Sequence, residues 1–155
     1  MTKNKSTKWL PNLTLLSAFL GLLTFITLLL PAIAVKGGNT IFKGYQIAFG
    51  DKESGALAEI TRFNFSFLSL LPYILGLIAI VFAVIGARGK IKFLVLLSGL
   101  LFVAQGVLFL LAVKTCSPSV IVGLLKFELA WGMIVGAVVA FLASLLSLIS
   151  LLTKK

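Results

Sequence analysis

Residues 67–113, FLSLLPYILGLIAIVFAVIGARGKIKFLVLLSGLLFVAQGVLFLLAV, decide the fold because they contain two long apolar runs separated by the basic connection Arg88-Gly89-Lys90. The runs 67–87 and 91–113 are each long enough for an α-helix that crosses about 30 Å of hydrocarbon at about 1.5 Å per residue. A connection this short makes the two helices antiparallel neighbours. The stretch therefore predicts a transmembrane helical hairpin.

Two further apolar runs flank this hairpin, at 13–35 and at 129–152. Of the 155 residues, 60% are hydrophobic and 12% are charged, whereas soluble proteins average about 25% charged residues. Ala32-Ile33-Ala34 matches a signal-peptide cleavage pattern, but the first run is longer than the roughly 7–15 apolar residues of a signal peptide. We therefore predict an all-α membrane protein, a single domain over residues 1–155 that forms a four-transmembrane-helix antiparallel bundle.

The distribution of charge predicts which side of the membrane each connection occupies. Short connections that are rich in basic residues are retained on the cytoplasmic side. In this chain one set of connections and termini contains basic residues and none of the four acidic residues. These basic residues are Lys3, Lys5, Lys8, Arg88, Lys90, Lys92, Lys154 and Lys155. We expect a multi-pass protein of the cell membrane with both termini in the cytoplasm. The net charge of +10 fits anionic membrane lipids as partners, and no motif indicates nucleic acid.

The long connection between the first two predicted helices, residues 36–66, has the alternation typical of β-strands. Its alternating apolar residues are Ile41, Tyr45, Ile47, Phe49, Phe63, Phe65 and, at the next helix, Phe67. The segment 50–55 between these groups is rich in turn-forming residues. We predict a small extracytoplasmic β-hairpin or sheet in this first outer loop. The candidate recognition residues on it are Tyr45, Phe49, Asp51, Lys52 and Glu53.

Small residues recur at helical spacing in two of the apolar runs. The stripe of the last run consists of Gly132, Gly136, Ala140 and Ser144, and that of the second run includes Ala79 and Ala83. Small side chains let two helix backbones approach closely in a membrane. The stripes are therefore predicted helix-packing faces. They pack either against another helix of the same chain or against a partner protein or a second copy in a homo-oligomer.

Gln105 is the strongest polar group inside a predicted span. It is expected either to hydrogen-bond a neighbouring helix or to line a polar pathway. The four apolar runs hold no Asp, Glu, His or Arg, the residues that mark many ion-coupled transporters. No nucleotide-binding glycine motif is present, and Cys116 is the single cysteine. We therefore predict no catalytic, cofactor-binding or metal residues and no enzymatic activity.

The order of these predicted elements, four helices with a long, strand-bearing first outer loop, resembles the layout of claudin-like tetraspan proteins. In that family the loop carries a W-x-x-x-W-type signature and a cysteine pair. Residues 36–66 here contain neither tryptophan nor cysteine. The resemblance is therefore one of layout, and it carries no activity over to this chain.

Three functions agree with these features. The first is a non-enzymatic membrane protein that acts through helix–helix and outer-loop contacts, as an accessory or assembly subunit or a self-associating scaffold. The second is a small transporter, channel or lipid-handling protein whose pathway includes Gln105. The third, suggested by size and topology alone, is a membrane protein that gives immunity against a toxin.

Overall fold

The computed structural model describes residues 9–54, 59–119 and 124–152. Most of these residues are helical. The helices are α1 (Trp9–Leu23), α2 (Gly44–Phe49), α3 (Phe67–Gly89), α4 (Lys92–Leu110), α5 (Ala112–Thr115) and α6 (Trp131–Leu152), and a 3₁₀ helix (Thr24–Leu28) continues α1. The strands are β1 (Pro31–Val35), β2 (Ile41–Lys43), β3 (Asp51–Ser54), β4 (Glu59–Phe63) and β5 (Phe127–Leu129).

Three of these helices, α3, α4 and α6, are long and apolar enough to cross a membrane. The first apolar helical stretch, Leu13–Leu28, is shorter. A membrane protein is thus supported, and the fourth crossing stays a prediction. The terminal lysines used to assign the orientation lie outside the described residues, so the sidedness also stays a prediction.

The helix expected over 13–35 ends early, because Pro31–Val35 forms strand β1. Proline lacks a backbone N–H and disfavours the α conformation of the residue before it, so it ends a helix readily. Ile33 and Val35 are β-branched and favour the extended chain that follows. The last helix, predicted from about Leu129, begins two residues later at Trp131, because Phe127–Leu129 pairs with β1 as β5.

The predicted small sheet exists, and its central strand lies outside the loop that was expected to form it. The strand order is β2-β1-β5, with both pairings antiparallel. Ile33 of β1 pairs with Phe42 on one side and with Leu129 on the other. Strands β3 and β4 form a separate antiparallel hairpin. We call the two sheets together the cap, and the end of the bundle that carries them the cap end.

Within the loop, the strand predicted through residues 45–49 is wrong, because these residues form helix α2. The Gln46 side-chain carbonyl accepts a hydrogen bond from the Lys43 backbone N–H at 2.7 Å, which satisfies one of the donors at the start of the helix. Tyr45 and Phe49 are therefore four residues apart on one helical face. Alternating apolar residues at short range do not separate a strand from a single helical turn.

The turn expected over 50–55 also differs from the structure. Gly50 has a positive φ of 88° and ends α2, and the chain is already extended from Asp51 onward as β3. Asp51, Lys52 and Glu53 are strand residues, paired with β4. The connection between these strands, residues 55–58, lies outside the described part of the chain.

Aromatic rings join the cap to the helices beneath it. Phe63 lies 4.7 Å from Phe42 and 5.9 Å from Phe127, measured between ring centroids. Below them, Tyr73 of α3 meets Phe109 of α4 at 5.4 Å. All four phenylalanines and Tyr73 belong to one continuous apolar cluster. The cap is thus packed onto the bundle, which gives its short strands the support that an isolated hairpin lacks.

The small-residue stripe of α6 packs against the first helical segment of the same chain. A Cβ added to Gly132 would overlap the Pro31 carbonyl oxygen, and one added to Gly136 would lie 2.5 Å from Thr27 Cγ2. Gly132, Gly136, Ala140 and Ser144 are all buried. Within this chain the stripe is therefore occupied at Gly132 and Gly136 by the first helical segment.

We expect Gly136→Leu to lower the melting temperature in detergent clearly more than Val138→Leu. The larger side chain at position 136 would displace Thr27 and the Phe109 ring, which lies 3.3 Å from the added Cβ. Overpacking of this kind costs about 1–3 kcal/mol. Val138 is the matched control because it lies on the same helix and is 52% exposed. Equal shifts for the two variants would contradict the packing described here.

Candidate functional site

A chain of buried polar groups joins three helical segments in the half of the bundle nearer the cap. The Gln105 Nε2 of α4 donates to Thr24 Oγ1 of the 3₁₀ helix at 2.8 Å. Thr24 in turn donates its hydroxyl proton to the Gly21 carbonyl at 2.6 Å. Because that proton is used, Thr24 Oγ1 can only accept from Gln105. The network therefore fixes the orientation of the Gln105 amide.

The other end of this amide has no partner among the described residues. Gln105 is fully buried, and its Oε1 makes no hydrogen bond within residues 9–54, 59–119 and 124–152. The amide lies flat against α3, where a Cβ on Gly76 would be 2.5 Å from Nε2 and 3.2 Å from Oε1. A buried acceptor without a donor costs about 1–3 kcal/mol. Gln105 thus combines one interhelical hydrogen bond with one unsatisfied acceptor.

Thr27 extends the polar chain toward the cap. Its hydroxyl donates to the Thr24 carbonyl at 2.6 Å and lies 3.2 Å from the Tyr73 hydroxyl of α3. Threonine bonds to carbonyls earlier in the chain often bend a helix. Here they coincide with the change from α1 to the tighter 3₁₀ helix at Thr24. We call Gln105, Thr24, Thr27 and Tyr73 the polar chain.

A second polar layer lies toward the other end of the bundle. The hydroxyls of Ser98 and Ser147 are 2.7 Å apart, and Ser147 also donates to the Val95 carbonyl at 2.9 Å. Thr14 donates to Ser150 at 3.0 Å. These bonds tie α1, α4 and α6 together, and they place the described start of the chain beside its described end.

The candidate recognition residues are divided between two elements. Tyr45 and Phe49 lie on α2, whereas Asp51, Lys52 and Glu53 lie on β3. Asp51 and Arg62 of β4 are 3.9 Å apart between a carboxylate oxygen and a guanidinium nitrogen. A partly exposed pair of this kind contributes about 0–1 kcal/mol. The structure thus places the five residues on two consecutive elements, and their role in recognition stays a prediction.

Backbone hydrogen bonds fasten the β3–β4 hairpin at its base. The Asn64 N–H donates to the Ser117 carbonyl, and the Ser119 N–H donates to the Arg62 carbonyl, both at 2.9 Å. Phe63 between them is buried. The hairpin is therefore attached to the chain that follows α5 as well as to the rest of the cap.

The thiol of Cys116, just beyond α5, is not an activated nucleophile. Burial raises the pKa of its thiol, which lowers the fraction of reactive thiolate. Its Sγ lies 3.1 Å from the Val113 carbonyl oxygen. Among residues 9–54, 59–119 and 124–152, no three His, Cys, Asp or Glu side chains gather in a group that could hold a metal ion.

Gln105 was predicted from the sequence, whereas two residues of α3 were not: Tyr73, which belongs to the polar chain, and Gly76, which packs against the Gln105 amide. Both are buried, and their spacing of three residues places them on one face of the helix. A buried tyrosine usually has a hydrogen-bond partner for its hydroxyl. The tyrosine inside this apolar run was therefore the feature of the sequence that could have indicated a buried polar contact. The partner itself is set by the packing of separate helices.

Comparisons of the chain with known protein families, with curated proteins and with solved structures gave no match.

We expect Gly76→Ala to destabilise the protein by about 1–3 kcal/mol, because the added methyl group overpacks the buried amide. In a Gln105→Ala background the loss should be smaller, with a coupling energy of about 0.5–3 kcal/mol between the two sites. Thermal or denaturant unfolding in micelles of the unmodified protein, the two single variants and the double variant measures this. Leu77→Ala, at an exposed neighbouring position, is the control and should be additive with Gln105→Ala. Additivity at Gly76 as well would show that the amide does not contact it.

Proposed function

We propose that this chain is a non-enzymatic membrane protein that acts through contacts of its cap, as an accessory or assembly subunit or as a scaffold. The observation that carries the proposal is the attachment of the β3–β4 hairpin. Its base is bonded to Ser117 and Ser119, and its strands carry charged residues outside the apolar bundle. A hairpin held in this way presents a fixed shape to a partner, which lowers the entropic cost of binding.

The packing of the bundle supports contacts at the cap over contacts between helices. The stripe around Gly136 is filled by the first helical segment, and Ala79 and Ala83 are fully buried. These faces are unavailable to a second protein while the chain keeps this fold. The charged residues of the hairpin, Asp51, Lys52 and Arg62, offer the polar complementarity that specifies a partner.

A second candidate, a small transporter, channel or lipid-handling protein, is favoured by one observation. The unpartnered Gln105 Oε1 lies in a chain of polar groups where the first helix changes to a 3₁₀ helix. Short 3₁₀ stretches within helices often mark hinges. A state in which this segment moves would give Oε1 and the Thr24 hydroxyl access to a polar solute. The contact function needs no such state.

Under the leading proposal, a benzoylphenylalanine photocrosslinker at position 52 should give a discrete protein adduct in native membranes. The same group at Val81, exposed on α3, is the control and should give lipid adducts. Gel mobility and mass spectrometry of the tagged chain distinguish these products. Identical products at the two positions, together with a monomeric native mass and no co-purifying protein, would contradict a contact function.

Thiol accessibility separates the two candidates. In a Cys116→Ser background, Thr24→Cys should not react with a charged, water-soluble thiol reagent if the bundle stays closed, because Thr24 is fully buried. Asn39→Cys in the exposed β1–β2 turn is the reactive control. Modification of position 24 in intact membranes would instead favour the transport or lipid-handling candidate.

A further inference from the structure

Helix α2 follows a chain segment that returns toward the bundle after leaving it. Strand β1 leads away from the 3₁₀ helix, the chain reverses in the exposed segment 36–40, and β2 runs back antiparallel to β1. At the end of this return, the Gly44 N–H donates to the Leu30 carbonyl at 3.2 Å. Helix α2 therefore starts beside the helices, not at the tip of the cap.

Residues of the first helical segment that lie beside both Gly44 and α6 show how far inside the bundle this start lies. A Cβ on Gly44 would overlap the Thr27 carbonyl and lie 2.9 Å from Leu28 Cα. Thr27 is level with Gly136, while Pro31 is level with Gly132. At about 1.5 Å per residue, Gly44 lies no more than about 8 Å inside the level at which α6 begins.

The other end of α2 is level with the start of α3. A Cβ on Gly50 would lie 3.0 Å from the Phe63 carbonyl oxygen and 3.2 Å from the Phe65 nitrogen. These residues immediately precede Phe67, where α3 begins. Helix α2 thus lies where the long apolar helices end, which is the boundary between headgroups and hydrocarbon for helices that cross a bilayer.

The two faces of α2 differ in burial. Gly44, Ile47 and Ala48 are buried against the bundle. Tyr45 and Phe49, four residues apart on the opposite face, are 41% and 56% exposed. Aromatic residues are enriched at this depth because their rings suit the interface between lipid headgroups and acyl chains. Two exposed aromatic rings on a six-residue helix are otherwise costly to leave in water.

We propose that α2 is an interfacial lipid anchor, with Tyr45 and Phe49 inserted between the headgroups and the acyl chains of the leaflet at the cap end. The start of α3, which lies at the level where α2 ends, is also apolar and exposed, since Phe67 and Leu68 are more than half exposed. Lys43 is exposed directly before α2 and reaches the phosphate layer, as basic residues beside interfacial helices do. The occupant of this surface is therefore the bilayer itself.

This assignment is independent of the proposed function, because it concerns α2 and leaves the β3–β4 hairpin free for a partner. It also separates the candidate recognition residues by role. Tyr45 and Phe49 contact lipid, whereas Asp51 and Lys52 remain on the polar side of the cap. A protein that binds the hairpin would then contact it at a distance from the membrane surface that α2 determines.

Site-directed spin labelling in nanodiscs tests the depth of α2. In a Cys116→Ser background, nitroxides are attached at Tyr45→Cys or Phe49→Cys, with Val81→Cys as the lipid reference and Asn39→Cys as the water reference. Collision with oxygen reports lipid, and collision with a water-soluble nickel complex reports water. We expect the oxygen-to-nickel ratio at positions 45 and 49 to be several-fold above that at 39 and below that at 81, because Val81 lies near the middle of α3 and the ratio rises with depth in the bilayer.

Three results would overturn the proposal. A ratio at 45 and 49 equal to that at 39 would place α2 in water. Low collision rates with both reagents, in nanodiscs that contain a single chain, would mean that other parts of the protein cover the rings. If the low rates appear only at higher protein loading, a second copy covers the face and the lipid assignment is again wrong. Correct folding of each variant is checked by its melting temperature beside that of Asn39→Cys.

Discussion

The close approach between the first helical segment and α6 is the contact on which the cap end depends. At Gly132 and Gly136 the backbone of α6 comes so near to Pro31 and Thr27 that no side chain fits between them. This approach places β1 beside the start of α6, where the Ala130 N–H donates to the Ala32 carbonyl at 3.0 Å. Strand β5 can then pair with β1, and β2 pairs with its other edge.

Lipid tails are as apolar as leucine, so the burial of apolar side chains contributes little to the association of helices in a bilayer. Close packing and hydrogen bonds between helices provide the driving force instead. This chain uses both, with small residues along α6 and hydroxyl or amide pairs such as Ser98 with Ser147 and Gln105 with Thr24. The two pairs lie at different positions along the helices. They therefore oppose both the separation of the helices and their movement along the helix axes. Gln105 is the exception, since its second polar atom is unsatisfied.

The sequence predicted the long helices well and the cap only in part. The α3 helix was expected over 67–87 and spans Phe67–Gly89, because its apolar run and the basic connection after it are local signals. Helix α2 was missed because six residues hold too few turns for helical periodicity to differ from alternation. The pairing of Ile33 with Leu129 was not predictable, since it joins segments far apart in the chain. The Gln105 hydrogen bond was foreseeable in kind, but Thr24 as its partner depends on how the helices pack.

The central position of β1 has a consequence for biosynthesis. Its β2 neighbour follows within a few residues, whereas β5 is made only after α3 and α4. Chains fold from the amino terminus as they emerge from the ribosome, so one edge of β1 waits with unpaired N–H and C=O groups, the kind of edge that recruits foreign strands. The first helical segment is therefore made before its cap end is complete, and the exposed edge of β1 must bond to water or to another protein until Leu129 has been added.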